Sequence, residues 1–234
     1  MNRPTALSAE PVSGVAAAQP PDRLDGRSKL AYSCGVLLDQ VGLHAANRLA
    51  FPVYNVLLGV NPALLGYALA AFRLWDAITD PVMGYVTDRW AGRWGRRKPF
   101  MVAGAISCGL LFPLLYTVSS SWSEGWALGY FIVVGLFYFT ALTIYAIPYQ
   151  ALGFELARDH DDRTALYSLR GIFLMLGFMG LTWIYPLAQS DYFRSPLEGV
   201  RWIAWVTGFL LCLAALVPVF YLKERYSGAG AASR

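Results

Sequence analysis

Apolar residues run along this chain in six long blocks separated by short polar connections, at about residues 30–59, 62–86, 100–118, 126–156, 165–188 and 200–222. A helix needs about 20 mostly apolar residues to cross a hydrocarbon core about 30 Å thick, and each block approaches or exceeds that length. The third block, FMVAGAISCGLLFPLLYTV, carries no charge. Buried helices of a soluble protein rarely follow one another at such length. The pattern therefore predicts an all-α membrane protein with six transmembrane helices. Residues 1–28 are rich in Pro, Ala and Ser and lack the apolar run of about 7–15 residues that a signal peptide needs. They are expected to form a disordered cytosolic tail, followed by a six-helix domain over 29–226 and a short cytosolic tail over 227–234.

Composition supports this picture. The chain has 234 residues, 56% hydrophobic and only 15% charged, where a soluble domain carries about 25% charge. An aromatic content of 15% suits bilayer interfaces and also rules out a disordered chain. Cys34, Cys108 and Cys212 lie far apart in apolar blocks, so they suggest neither a disulfide framework nor a metal site. The net charge of +4 is explained by position. Lys and Arg gather in the N-terminal segment (Arg3, Arg23, Arg27, Lys29), after the second block (Arg89, Arg93, Arg96, Arg97, Lys98), after the fourth (Arg158, Arg163) and at the C-terminus (Lys223, Arg225, Arg234). The opposite connections hold only Arg194 and Arg201. The positive-inside rule then places both termini in the cytoplasm, and no nucleic-acid partner is needed to account for the charge.

Six charges fall inside the predicted spans away from their ends: Asp39, Arg48, Arg73, Asp76, Asp80 and Arg170. Each costs about 2.5–3.5 kcal/mol at bilayer depth, so each calls for a function or an ion pair. In RLWDAITDP, Asp76 and Asp80 stack one helical turn apart, with Arg73 a turn earlier. Their repulsion must be relieved by a proton, by Arg73 or by a bound cation. A small hard cation prefers oxygen ligands, and Thr79 and Thr143 could add hydroxyls. Pro81 breaks the helical ladder beside Asp80. In the first block, Gln40, His44 and Arg48 form a polar stripe; for His44 a hydrogen-bonded interior position is the simpler account. Arg170 has no acidic partner on its own helix, so it either pairs with another helix or meets a polar ligand.

Two longer motifs carry a resemblance. RLWDAITDPVMGYVTDRWAGRWGRRKPF and IPYQALGFELARDHDDRTALYSLRG are similar to the helix-two and helix-four-to-five signatures of the glycoside–pentoside–hexuronide:cation symporters. These are the melibiose-permease-like branch of the major facilitator superfamily. The likeness spans about Lys29 to Tyr226 and covers only the N-terminal half of a twelve-helix fold. It implies sugar symport driven by Na⁺, Li⁺ or H⁺ in a bacterial inner membrane, with no cofactor and no enzymatic activity. It also implies Asp76, Asp80, Thr79 and Thr143 as cation ligands. Substrate residues would be Asp39, Gln40, Tyr149, Gln150 and Arg170. Gly84, Asp88, Arg89, Gly95, Arg96 and Arg97 match the superfamily's cytoplasmic gating loop.

The motif is not followed throughout. Where melibiose-type members place a sugar-binding acid two residues before the helix-four proline, this chain has Ala146. Gln40 stands where they have a helix-one acid, with Asp39 one step earlier, and Gln150 replaces a tryptophan. A different sugar, a uronate or a lysolipid is therefore open as the solute. The expected partners are the bilayer, that solute, and a second six-helix half or another copy of this chain. A non-transporting assembly partner is the alternative. An intramembrane enzyme is disfavoured, because its aspartates would have to converge from different helices.

Overall fold

Each apolar block becomes a helical rod, and two of the helices start at a side-chain cap, Asn61 and Ser195. The computed structural model describes residues 24–90, 92, 95–157 and 159–222, and these contain helices and connections but no strand. The first block forms one rod of four segments: α1 (Gly26–Cys34), a π-helical stretch Leu37–Gly42, α2 (Leu43–Ala50) and a second π-helical stretch Phe51–Leu57. Pro52 lies in the second stretch, where a missing N–H suits a widened turn. Asn61 caps the next helix, α3 (Pro62–Arg89), by accepting the Ala63 N–H at 2.9 Å, and Pro62 fits the first turn because its absent donor is not needed there. There follow α4 (Lys98–Leu114), α5 (Glu124–Leu156), α6 (His160–Ala188) and α7 (Pro196–Tyr221).

Among the described residues, α5, α6 and α7 are long and apolar enough to cross a membrane, and α4 is apolar but 17 residues long. The other two rods fall short for physical reasons. The first is broken into segments of nine residues or fewer, and α3 carries Arg73, Asp76, Asp80, Asp88 and Arg89 along its length. Helix α1 begins at Gly26, inside the segment expected to be a tail. Asp162 at the start of α6 draws it in, accepting the Leu24 N–H at 2.9 Å and pairing with Lys29 at 2.8 Å. The rest of both expected tails lies outside the described residues, as do Arg93 and Arg158.

Packing is close where side chains are small. A Cβ on Gly104 of α4 would lie 2.6 Å from the Tyr145 backbone nitrogen, so α4 and α5 touch backbone to side-chain base. Gly109 and Gly208 bring α4 and α7 together in the same way. Tyrosine hydroxyls then fasten the first rod. Tyr149 donates to the Tyr32 carbonyl at 2.9 Å, Tyr138 to that of Gly42 at 2.9 Å and Tyr116 to that of Ala46 at 3.0 Å. These rings are buried, which is tolerable only because each hydroxyl has an acceptor. The outside of the bundle is apolar: Trp202, Phe209, Phe220, Met175 and Met179 are all exposed.

Candidate functional site

Most of the residues expected to bind ligand line two adjoining clefts; Thr79 and Tyr149 line neither. The first, of about 380 Å³, lies between the π-helical stretch of the first rod, α3 and α5. Asp39, Arg73, Asp76, Asp80, Thr143 and Gln150 are among its lining residues. The helical period puts Asp76 and Asp80 on one face of α3, and that face points at α5. Thr143 donates to Asp80 Oδ1 at 2.9 Å, and Arg73 reaches Asp76 Oδ2 at 3.3 Å. Thr79 sits a step behind: its hydroxyl donates to the Trp75 carbonyl at 3.1 Å and lies 3.5 Å from that of Thr143. The two carboxylates of α3 thus face the Thr143 hydroxyl of α5, with one carboxylate held by that hydroxyl and the other by a half-exposed arginine. No cluster of three or more His, Cys, Asp or Glu suited to a metal occurs among the described residues.

The second cleft, of about 320 Å³, is lined by Tyr32, Gln40, Gln150, Tyr167, Arg170 and their neighbours. Among the described residues, Arg170 is the charged side chain on its wall. It donates to Asp39 Oδ2 at 2.6 Å, so the arginine left without a partner on its own helix is paired across helices. The guanidinium also sits 5.8 Å from the Tyr167 ring and 6.0 Å from that of Tyr149. Asp39 is nearly inaccessible, with a side-chain exposure of 1% against 19% for Arg170. Its other contacts are Gln150 Nε2 at 3.0 Å and Gln40 Nε2 at 3.2 Å. Three donors thus surround one carboxylate, which orients Arg170 and both amides. Gln40 and Gln150 face both clefts and form the wall between them. Tyr149 is fully buried, with its ring stacked on Tyr32 at 4.6 Å, so it supports the site from below.

The loop residues sit at the α3–α4 end. Gly84 lies on α3, where an added Cβ would be 3.9 Å from Ile147. Asp88 is exposed in the last turn of α3, and the Arg89 guanidinium covers the Tyr85 ring at 4.0 Å. Gly95 adopts φ +97°, a conformation glycine takes without strain. Arg96 and Arg97 both reach Glu155 at the end of α5, at 3.1 Å and 2.8 Å. Sequence reasoning passed over Glu155 and Asp162, although each is an acid placed opposite a basic segment at a helix end. That juxtaposition was the available signal.

Residues 35–233 match the model of the MFS/sugar transport protein family. An uncharacterized symporter of Synechocystis is 31% identical over 87% of this chain and 38% of its own length. A glucuronide carrier protein homolog of Escherichia coli is 27% identical over 85% of this chain and 43% of its own length. A sodium-dependent lysophosphatidylcholine symporter of Gallus gallus is 29% identical over 67% of this chain and 29% of its own length. The chain therefore spans about two fifths of the length of the first two relatives.

Proposed function

Because this chain belongs to the MFS/sugar transport protein family, an integral-membrane family of transporters, we propose that it contributes the N-terminal six-helix half of a cation-coupled symporter for a sugar or related solute. In this reading all six rods cross the bilayer of a bacterial inner membrane, with both termini cytoplasmic, as the Lys and Arg distribution favours. The observation that carries the reading is the pair of adjoining clefts. The acids Asp76 and Asp80 line one, the guanidinium of Arg170 lines the other, and Gln40 and Gln150 are shared by both. Na⁺, or H⁺ or Li⁺ in its place, is then cargo held by Asp76, Asp80 and Thr143, with Thr79 in support. The solute lies against Arg170, Gln40 and Gln150 between the aromatic rings. The Arg170 guanidinium is already paired with Asp39, so its remaining donors favour sugar hydroxyl and carboxylate oxygens, a hexuronide's included, through hydrogen bonds rather than net charge.

Alternating access needs a second wall, so a second six-helix half or another copy of this chain completes the path. Reconstitution of the assembled transporter in vesicles, with glucuronide uptake followed under an imposed Na⁺ gradient, tests the proposal. Gradient-dependent uptake is the expected result. Uptake of lysophosphatidylcholine in place of glucuronide would move the chain to the lysolipid branch, towards which the similarity to the sodium-dependent lysophosphatidylcholine symporter points.

A further inference from the structure

A further cleft shares no residue with the two candidate transport clefts. It holds about 740 Å³ between the connection after α4 and the first turns of α7. Ser119 and Ser120 line one side, and Glu198, Arg201, Trp202 and Trp205 line the other. Arg201 is fixed in place because its Nη2 donates to the Val118 carbonyl, while its Nε has no partner among the described residues. Glu198 and Arg201 are three positions apart on one helical face, which sets their Cβ atoms about 5–6 Å apart. Among the described residues, neither side chain makes an ion pair. An opposite pair this close, left unjoined at a cleft wall, is complementary to a ligand carrying both charges.

The position of the pair at the start of an apolar span points to a lipid ligand. Arg201 lies five residues into α7, about 8 Å along the axis at 1.5 Å per residue. In the proposed orientation, where α7 enters the bilayer near its first turn, that is the layer where headgroups meet acyl chains. Trp202 and Trp205 are 61% and 45% exposed, and indole rings favour this layer. On a water-facing surface such rings would be a liability; here they can lie along a glycerol backbone and its first methylenes.

We propose that this cleft binds a zwitterionic phospholipid with a primary-amine headgroup, its phosphate on Arg201 and its ammonium at Glu198. The serine hydroxyls of the α4–α5 connection supply further donors to the phosphate. A purely anionic headgroup would satisfy Arg201 but leave Glu198 facing negative charge. A quaternary ammonium would neutralise Glu198 without giving it a hydrogen bond. The inference requires only that the chain sits in a membrane, so it stands or falls independently of the solute and the coupling ion.

Native mass spectrometry of the detergent-purified chain, equilibrated with equimolar phosphatidylethanolamine, phosphatidylglycerol and phosphatidylcholine, reads the retained lipid directly. Wild type should retain phosphatidylethanolamine about tenfold over phosphatidylglycerol, the scale of one charge-assisted hydrogen bond. Glu198→Gln should bring these two lipids level, and Arg201→Gln should lose retention of all three. Trp126→Phe, in a separate groove, should change nothing. If Arg201→Gln fails to fold, wild type and Glu198→Gln still decide the matter. Equal retention of the three lipids by wild type overturns the proposal, as does an unchanged preference in Glu198→Gln. Displacement of the lipid by inorganic phosphate alone also overturns it, because the cleft would then be an anion site.

Discussion

Replacing Arg170 with Gln removes the one cation facing Asp39, and the geometry fixes what should follow. Breaking a buried ion pair by deleting one partner costs about 3–5 kcal/mol, because the other charge is left uncompensated. Asp39 is the more deeply buried member, with 1% of its side chain exposed, and cannot turn to water. It keeps two amide donors, from Gln150 at 3.0 Å and Gln40 at 3.2 Å. That retained solvation puts the expected loss at the low end, about 3 kcal/mol. For a chain of this size, about 2–4 °C of melting temperature corresponds to each kcal/mol, so the midpoint should fall by about 6–12 °C. Asp39→Asn should cost less, about 1–2 kcal/mol, because the 19%-exposed Arg170 opens onto its cleft and can be hydrated there. The double variant should be more stable than Arg170→Gln alone, since it leaves no orphaned charge. Circular-dichroism melts of the four proteins in one detergent, at one scan rate because unfolding of such proteins is often irreversible, give the ordering. A midpoint for Arg170→Gln within about 2 °C of wild type, less than 1 kcal/mol on that scale, would show that Arg170 does not hold Asp39 and would refute this account of the site.

Three other outcomes follow from the same coordinates. Asp80→Asn keeps the shape of the side chain beside the Thr143 hydroxyl but removes its charge, so titration calorimetry of the assembled transporter should lose Na⁺-stimulated solute binding while some cation-independent affinity remains; full Na⁺ stimulation would make the α3 pair structural. Glu155→Gln takes the shared acceptor from Arg96 and from Arg97, which is only 6% exposed, and should lower the melting midpoint more at low salt than at high salt. Gly104→Ala drives a Cβ to 2.6 Å from the Tyr145 backbone nitrogen, which cannot rotate away, and should cost about 1–3 kcal/mol, read from the same melts. Gly66→Ala on α3, where nothing lies within 4 Å, should hold or raise the midpoint, since alanine suits a helix better than glycine, and serves as its control.

How much of this was legible in the sequence depended on whether the determining interaction was local. Helix order and approximate boundaries were readable because an apolar run and the polar connections that bound it are local features of the chain. Asp76 and Asp80 were readable as a pair because a four-residue spacing fixes one helical face. The partner of Arg170 was not. Asp39 lies 131 positions away, and its approach depends on two rods meeting at a particular rotation. The π-helical stretches were equally hidden. A π turn differs from an α turn by one residue of register, and LLDQVG carries no proline or glycine pair to announce it. That register decides which first-rod side chains face the clefts, and so why Asp39, rather than its neighbour Gln40, receives the arginine.

The arrangement around Asp39 also suggests how two ligands could be coupled in the proposed symporter. A cation drives a solute only if it binds one conformation better than another, and the solute must favour that same conformation. In the structure, the carboxamides of Gln40 and Gln150 each direct their nitrogen to Asp39, and both residues line the two clefts. An amide oxygen is a ligand for a small hard cation in the acidic cleft and an acceptor for a hydroxyl in the arginine cleft. One group cannot serve both without its rotamer being set by Asp39. Gln150→Leu removes that shared amide but leaves Asp76, Asp80 and Arg170 in place. Calorimetry should then find both ligands binding separately, with their mutual enhancement lost. Linkage requires the loss to be reciprocal: Na⁺ should stop helping the solute by the same factor that the solute stops helping Na⁺. A variant that keeps the full enhancement would place the coupling elsewhere, in the movement of whole rods.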